Sequence, residues 1–192
     1  MHINDLPTPA VVIDIAALRK NIATMADVHP GKRLRPHIKA HKCSGLAAEQ
    51  EGAGHSSFTC ATPREVLGMI HAGVGNDFLL ANEVLDPRRL EALASAQDQA
   101  LITLAIDSEE TLDAAERAGI QNIMIDVNVG LPRCGCDPSI AGRLADSARV
   151  RGMTVRGVMG YEGHLMMVND REEKKKNVRD AMSILALAHE DV

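Results

Sequence analysis

Five basic or imidazole side chains crowd one short segment of this chain, although its 192 residues together carry a net charge of −5. The segment reads RLRPHIKAHKC, and after Leu34 it contains Arg35, His37, Lys39, His41 and Lys42. A free lysine has a pKa of about 10.4, and nearby cations and desolvation both lower it by disfavouring the ammonium form. The freed amine can attack a carbonyl carbon, so the segment predicts a lysine that forms a Schiff base. Basic side chains splayed into solvent at a strand end are the competing interpretation, and the two stand nearly even.

The alternation of side chains along an extended strand selects one lysine of this segment. A strand through RLRPHIKA places Arg35, His37, Lys39 and His41 on one face and leaves Lys42 on the other. Lys39 then lies near the carboxyl end of the strand, with His37 as its neighbour on the same face. We therefore expect Lys39 to be the nucleophile and Lys42 to face away from the site.

Two later segments also place polar side chains directly after a predicted strand. DVNVGLPRCGCDP, residues 126–138, carries Arg133, which can pair with a carboxylate or phenolate oxygen. GVMGYEGHLM, residues 157–166, carries Tyr161 and His164 on a glycine-lined backbone that suits a flat ring ligand. A surface arginine in the first segment and an ordinary strand-to-helix turn in the second are the alternatives.

The rest of the chain alternates apolar strands with capped helices, about seven times in all. Strands are predicted at residues 10–15, 33–40, 56–61, 77–81, 100–106, 122–127 and 153–160. Helix starts are predicted at Asp14, Thr62 (with Pro63 and a Glu65 capping box), Asp86, Ser108, Asp137 and about Asp170. This order predicts an α/β fold with a parallel sheet, either doubly wound or a (β/α)8 barrel. Function in both architectures lies at the carboxyl ends of the strands, where all three segments fall.

Composition narrows the classes of function. The net charge of −5, without a dominant basic face, argues against a nucleic-acid partner. No apolar run approaches the roughly 18 to 20 residues of a membrane span, and no signal peptide is apparent, so we expect a cytoplasmic protein. The four cysteines do not form a disulfide framework. Cys134 and Cys136 lack a second pair at zinc-like spacing, so we expect no metal site.

The motifs together resemble one family of cofactor enzymes. DLPTPAVVID, RPHIKAHK, CATPREVLGMIHAGVGNDFLLANEV, DVNVGLPRCG and VMGYEGH follow one another over almost the whole chain. In this order they resemble the fold-type III pyridoxal-phosphate enzymes, whose barrel is the alanine racemase N-terminal domain. Within that group the chain is most similar to the D-threonine aldolase and D-serine dehydratase branch. RPHIKAHK together with DVNVGLPRCG is the specific combination, since either motif alone is only suggestive.

The resemblance implies a fold, a cofactor and a set of site residues. It implies a TIM-type barrel in which Lys39 forms the Schiff base with pyridoxal 5′-phosphate. Arg133 then lies beside the cofactor, Tyr161 lies near its pyridine ring, and His37 and His164 belong to the pocket. The implied enzyme is a lyase for D-amino acids with a 3-hydroxyl group, by retro-aldol cleavage to glycine and an aldehyde or by dehydration. An amino-acid racemase and a non-catalytic pyridoxal-phosphate carrier are the alternatives.

The chain departs from this branch in its length. Relatives are about twice as long and add a glycine- and serine-rich phosphate loop and a C-terminal β-domain whose His-x-Cys or His-x-Asp pair binds a divalent metal. Residues 1–192 contain neither segment, so we expect one barrel domain, incomplete at its C-terminus, that binds the cofactor weakly and turns over slowly. The resemblance allows a homodimer. The substrate side chain and the choice between aldolase, dehydratase and racemase stay open.

Overall fold

The computed structural model describes residues 2–192 and contains five parallel strands and seven α-helices, which alternate from the first strand onward. The strands are β1 (Ser57–Cys60), β2 (Asp77–Leu80), β3 (Leu101–Ile106), β4 (Asn122–Asp126) and β5 (Thr154–Met159). The helices are α1 (Ile15–Val28), α2 (Ser44–Gly52), α3 (Pro63–His71), α4 (Pro87–Ala94), α5 (Glu109–Ala118), α6 (Ala141–Val150) and α7 (Arg171–Asp191). Short 3-10 turns lie at Ile3–Asp5, Gly31–Arg33, Ile38–Ala40, Pro138–Ile140 and Gly163–Met167. No helix among residues 2–192 has both the length and the apolar character needed to cross a bilayer.

The strands form one sheet in the order β1-β2-β3-β4-β5, and every neighbouring pair is parallel. A doubly wound sheet reverses its strand order at a switch point, whereas a (β/α)8 barrel adds each strand beside the previous one. The sequential order therefore confirms the barrel-type α/β fold predicted from the sequence. The described residues contribute five adjacent strands to it, fewer than the seven predicted.

Two predicted strands are wrong. Residues 10–14 form neither a helix nor a strand, and Val11 is 94% exposed. Residues 33–40 contribute one isolated parallel bridge, between His37 and Thr59, and then close into the 3-10 turn Ile38–Ala40. The apolar and alternating patterns of these two segments predicted strands. Among residues 2–192, however, neither segment pairs with a partner strand over its full length.

The helix starts follow the predicted caps. Asp14, Asp86 and Asp170 each accept hydrogen bonds from the first backbone N–H groups of their helices, and Ser108 caps α5 in the same way. The Thr62 side chain accepts a hydrogen bond from the N–H of Glu65. The predicted capping box is not completed, because Glu65 Oε2 accepts from the N–H of Ala61, at 2.7 Å, and not from the N–H of Thr62. Asp137 caps the 3-10 turn that precedes α6.

Side chains alternate between the two faces of the sheet. The outward side chains pack beneath the helices and are almost fully buried: Phe58, Phe78, Leu80, Ile102, Leu104, Ile106, Ile123 and Ile125. The inward face carries smaller or polar side chains, including Thr59, Thr103 and Asp126. The apolar core thus lies between sheet and helices, and the inner face holds the groups that can do chemistry.

An ion cluster on the inner face ties the basic segment to the sheet. The guanidinium of Arg35 donates to both carboxylate oxygens of Asp77, at 3.1 and 2.9 Å. Arg156 binds the same carboxylate at 2.9 and 3.3 Å and also donates to Thr103 Oγ1. Asp77 begins β2, so this cluster lies at the amino end of the sheet. Arg35 is therefore directed away from Lys39, and the predicted shared face for these two residues is wrong.

Candidate functional site at the carboxyl ends of the strands

Lys39 projects from a tight turn that is anchored on both sides. Ile38 is 3% exposed and fixes the turn in the core, while the Pro36 carbonyl accepts a hydrogen bond from the N–H of Thr59 in β1. The amine of Lys39 makes no hydrogen bond or ion pair with any residue between 2 and 192, and the side chain is exposed. The turn thus offers an unpaired amine on a fixed backbone.

Tyr161 lies near two cations from distant parts of the chain. The Lys39 Nζ atom is 5.3 Å from the centroid of the Tyr161 ring, and the Arg133 Cζ atom is also 5.3 Å from it. A cation at this distance from an aromatic face is attracted by the ring quadrupole. The structure therefore brings together three of the predicted site residues, which lie on three separate loops.

The loop that carries Arg133 is held by backbone hydrogen bonds. Val127 and Cys136 form an isolated bridge, so the loop leaves the end of β4 and returns to it. Gly135 has φ +94°, and a Cβ there would lie 2.7 Å from the backbone nitrogen of Asn128, so the bend requires glycine. Arg133 Nε contacts Cys134 Sγ at 3.4 Å, and the other guanidinium nitrogens bind no side chain among residues 2–192. Those nitrogens are available to an anionic ligand.

The two predicted histidines lie beside this group in different ways. The ring of His164 packs on Gly130 of the Arg133 loop, where a Cβ would lie 3.0 Å from it. His37 Nδ1 accepts from the N–H of Lys39 at 3.3 Å, and its ring lines a separate cavity of about 290 Å³ under α1. Burial, then the Lys39 ammonium, lower the pKa of His37 below its ordinary value. A neutral His37 therefore supports the Lys39 turn, without a contact to Tyr161 or Arg133.

Lys42 provides an internal comparison for Lys39. Its backbone has φ +49°, and its amine pairs with the Glu65 carboxylate of α3. The pair lines a cavity of about 530 Å³ between α2 and α3, the larger of the spaces near the basic segment. Lys42 thus faces away from the site, as predicted. The cause is the turn and the ion pair with Glu65, and not the alternation of side chains along a strand. An ion-paired ammonium is a poor nucleophile, which favours Lys39.

Comparison with known proteins identifies the family of this chain. The family model described as "Alanine racemase, N-terminal domain" matches residues 13–191. The chain belongs to the alanine racemase N-terminal domain family. The match covers nearly all described strands and helices, including the loops that carry Lys39, Arg133 and Tyr161.

Individual relatives within the alanine racemase N-terminal domain family act as aldolases and dehydratases. The chain is 33% identical to a D-threonine aldolase of Arthrobacter sp over 189 residues, which cover 93% of this chain and 49% of that protein. It is 30% identical to a D-threo-3-hydroxyaspartate dehydratase of Delftia sp. (strain HT23), over 82% of this chain and 44% of that one. The crystal structure of D-threonine aldolase from Filomicrobium marinum superposes with a TM-score of 0.90 at 32% identity, over 97% and 52% of the two chains. The chain therefore spans about half the length of the relatives it matches.

The donor set of this alanine racemase N-terminal domain fits pyridoxal phosphate. Lys39 offers a free amine for its aldehyde, Arg133 offers unpaired guanidinium nitrogens for an anionic oxygen, and Tyr161 offers an aromatic face. The enclosed space beside Arg133 and Tyr161 is about 10 Å³, too small for a ring, so a ring-sized ligand would need the open side of this group. The sequence did not predict a phosphate-binding segment.

The sequence reasoning did not select three further groups in this alanine racemase N-terminal domain. Glu83, Asp126 and Cys134 place two carboxylates and a thiol within 4.8 Å of one another, beside Arg133. Burial, together with the facing Glu83 carboxylate, raises the pKa of Asp126 to about 7, and burial raises that of Cys134 to about 11. The expectation of no metal site stays a prediction. The sequence contained a signal for this cluster, because Glu83 and Asp126 lie at the carboxyl ends of two parallel strands.

Replacing Gly163 with alanine is expected to displace the Tyr161 ring. A Cβ at position 163 would lie 2.4 Å from the Cε1 atom of that ring, which is free to swing because it is 41% exposed. Tyr161 is the single tyrosine of a chain without tryptophan, so tyrosine fluorescence reports this site alone. We expect acrylamide to quench the emission of Gly163→Ala more strongly than that of the wild type.

Gly68→Ala is the matched control for this substitution. Gly68 lies within α3, and a Cβ there would meet no atom within 4 Å. Its quenching should equal that of the wild type. Equal quenching in all three proteins would show that Tyr161 does not pack on Gly163.

Proposed function

We propose that this chain carries the cofactor-binding half of a pyridoxal-phosphate-dependent lyase for D-3-hydroxy amino acids. The observation that carries the proposal is the convergence of the unpaired Lys39 amine, the Tyr161 ring and the Arg133 guanidinium. The names of the Arthrobacter aldolase and the Delftia dehydratase support the same class of substrate and reaction. The reaction is retro-aldol cleavage to glycine and an aldehyde, or dehydration with release of ammonia.

Each predicted site residue has a role in this proposal. Pyridoxal phosphate supplies, when bound, an electron sink for the pair released as a bond to the substrate Cα breaks. Lys39 would hold the cofactor through its amine, and that amine, when free, would carry a proton. Arg133 binds an anionic oxygen of cofactor or substrate, and Tyr161 supplies a flat surface against the ring. His37 holds the Lys39 turn, and His164 packs the Arg133 loop against the site.

A racemase and a non-catalytic carrier would use the same three groups differently. A racemase exchanges the hydrogen on Cα and leaves the bond from Cα to Cβ intact, whereas a carrier binds the cofactor and transforms no amino acid. The aldolase and dehydratase differ in which bond at Cβ breaks. Four further expectations from the sequence stay predictions: homodimer formation, a cytoplasmic location, D-amino acid binding and the domain division.

Product analysis with three substrates tests the proposed reaction. The chain is incubated with pyridoxal phosphate and D-threonine, D-serine or D-alanine, with added divalent metal in a parallel series. We expect glycine and acetaldehyde from D-threonine, or pyruvate and ammonia from D-serine, at a low rate. L-alanine formation from D-alanine without cleavage of the other substrates would identify a racemase instead. A chain that binds the cofactor and changes none of the three would identify a carrier.

A further inference from the structure

Two carboxyl groups face each other behind Arg133. Glu83 follows β2 and Asp126 ends β4, so the barrel architecture brings both to the same edge of the sheet. Their oxygens and the Cys134 sulfur lie within 4.8 Å of one another, and Asp126 is only 4% exposed. Glu83 Oε1 is buried and has no hydrogen-bond partner among residues 2–192. The proposed catalytic steps use neither carboxyl group.

Two carboxyl groups lie close together here, Asp126 buried and Glu83 half-buried, so negative charge on one disfavours negative charge on the other. Like charges in a poorly solvated site repel strongly, and one proton shared between them removes that repulsion. Burial and Glu83 raise the pKa of Asp126 to about 7, and the Asp107 carboxylate adds to the rise. The charged or titratable groups that face Asp126 are Glu83, Asp107, Arg133, Cys134 and Cys136. Four of these five groups are acids, and Arg133 is the single cation.

The carboxyl pair reaches Arg133 through the Cys134 thiol. The Cys134 Sγ–H donates to Asp126 Oδ2 at 3.5 Å, and Arg133 Nε donates to the same sulfur at 3.4 Å. Two full negative charges behind the thiol would draw the guanidinium inward into an ion pair. A single shared negative charge leaves the guanidinium directed outward, toward Tyr161.

We propose that Glu83 and Asp126 hold one proton between them and act through Cys134 as positioning residues that keep Arg133 free for an anionic oxygen. The cofactor-binding role of Arg133 rests on the proposed function, whereas the shared proton and its effect on Cys134 do not. Loss of the proton in alkaline solution turns Arg133 inward and weakens anion binding at the site.

The first test measures the reactivity of the Cys134 thiol and needs no cofactor. Iodoacetamide alkylation of Cys134 is followed by peptide mass spectrometry between pH 6 and 9, in a Cys43→Ser background that removes the exposed cysteine. We expect Asp126→Asn and Glu83→Gln each to speed alkylation at pH 8.5 by at least about threefold, because loss of a nearby negative charge lowers the thiol pKa. Asp98→Asn removes an exposed carboxylate elsewhere and should match the background protein. Superimposable profiles for all four proteins would overturn the proposal.

The second test measures cofactor affinity at two pH values. The dissociation constants of pyridoxal phosphate should be equal within about twofold for the wild type and Asp126→Asn at pH 6. At pH 8.5 the wild type should bind at least about threefold more weakly than the variant, because only the wild type has lost the proton. If the ratio of the two dissociation constants, wild type to Asp126→Asn, does not change with pH, the proposed link between the carboxyl pair and Arg133 is wrong. Failure of every protein to bind pyridoxal phosphate would refute the proposed function, while the alkylation profile would still decide the shared proton.

Discussion

Lys39→Ala is expected to abolish borohydride-stable labelling of the chain by pyridoxal phosphate. The Lys39 amine has no partner among the described residues and lies 5.3 Å from the Tyr161 ring centroid, whereas the Lys42 amine pairs with Glu65. Reduction traps the cofactor on the amine to which it is bound, so peptide mapping should place the label on Lys39. Lyase turnover should fall by at least about a thousandfold, because no other side chain of the site can replace the amine.

Lys42→Ala is the matched control for this prediction. It removes a lysine three positions away and leaves the turn Ile38–Ala40 in place, so labelling and turnover should stay within about twofold of the wild type. Label on Lys42 in the wild type, or equal labelling of the wild type and Lys39→Ala, would refute the assignment of Lys39. The larger cavity lined by Lys42 and Glu65 would then become the candidate site.

Asp77→Asn is expected to destabilise the fold more than any other charge-neutralising substitution on the inner face. It leaves the guanidinium groups of Arg35 and Arg156 without the carboxylate that both bind. Removing one partner of a buried ion pair destabilises by about 3–5 kcal/mol. The two arginine side chains remain 23% and 25% exposed, so water solvates them after the carboxylate is lost and reduces this cost. We therefore expect Asp77→Asn to lower the free energy of unfolding by about 2–3 kcal/mol.

Urea unfolding followed by circular dichroism measures this difference, with Asp180→Asn as the control. Asp180 forms an exposed pair with Lys176, and its loss should change the free energy of unfolding by less than about 0.5 kcal/mol. Equal stabilities of Asp77→Asn and Asp180→Asn would show that the cluster does not support the fold. The result also bears on the site, since Arg35 fixes the segment that leads to Lys39.

The stability that Asp77 contributes depends on pH in a defined direction. Burial by itself raises the pKa of Asp77, but the hydrogen bonds and charges of Arg156 and Arg35 outweigh burial and hold the pKa below its ordinary value. The contribution is therefore fully present above the ordinary carboxyl pKa of about 3.9 and is lost as pH falls through the lower value in the folded state. The gap between wild type and Asp77→Asn should stay constant from pH 5 to 7 and close in stronger acid.

The sequence alone predicted most of the helices and selected three residues that the structure brings together. Caps such as Ser108 and the Asp86–Pro87 pair act within a few residues of their own helix, so local patterns suffice to place them. Lys39, Arg133 and Tyr161 were selected because each follows or lies near a predicted strand end, and parallel strands gather such ends at one edge. Lys39 was predicted to lie on a strand that does not form. The turn that carries it still lies beside β1, which keeps Lys39 near its predicted position.

The tertiary structure decided which of the candidate charges meet. Arg35 lies four positions before Lys39, but it binds Asp77, 42 residues later, and Arg156 reaches the same carboxylate from 79 residues away. The pairing of Glu83 with Asp126 likewise depends on three consecutive strands lying side by side. Local sequence determines where a helix begins and which residue types stand at strand ends, because those preferences act over a few residues. Only the folded sheet sets the distances between side chains far apart in the chain, and those distances decide which amine is free and which carboxyl groups face each other.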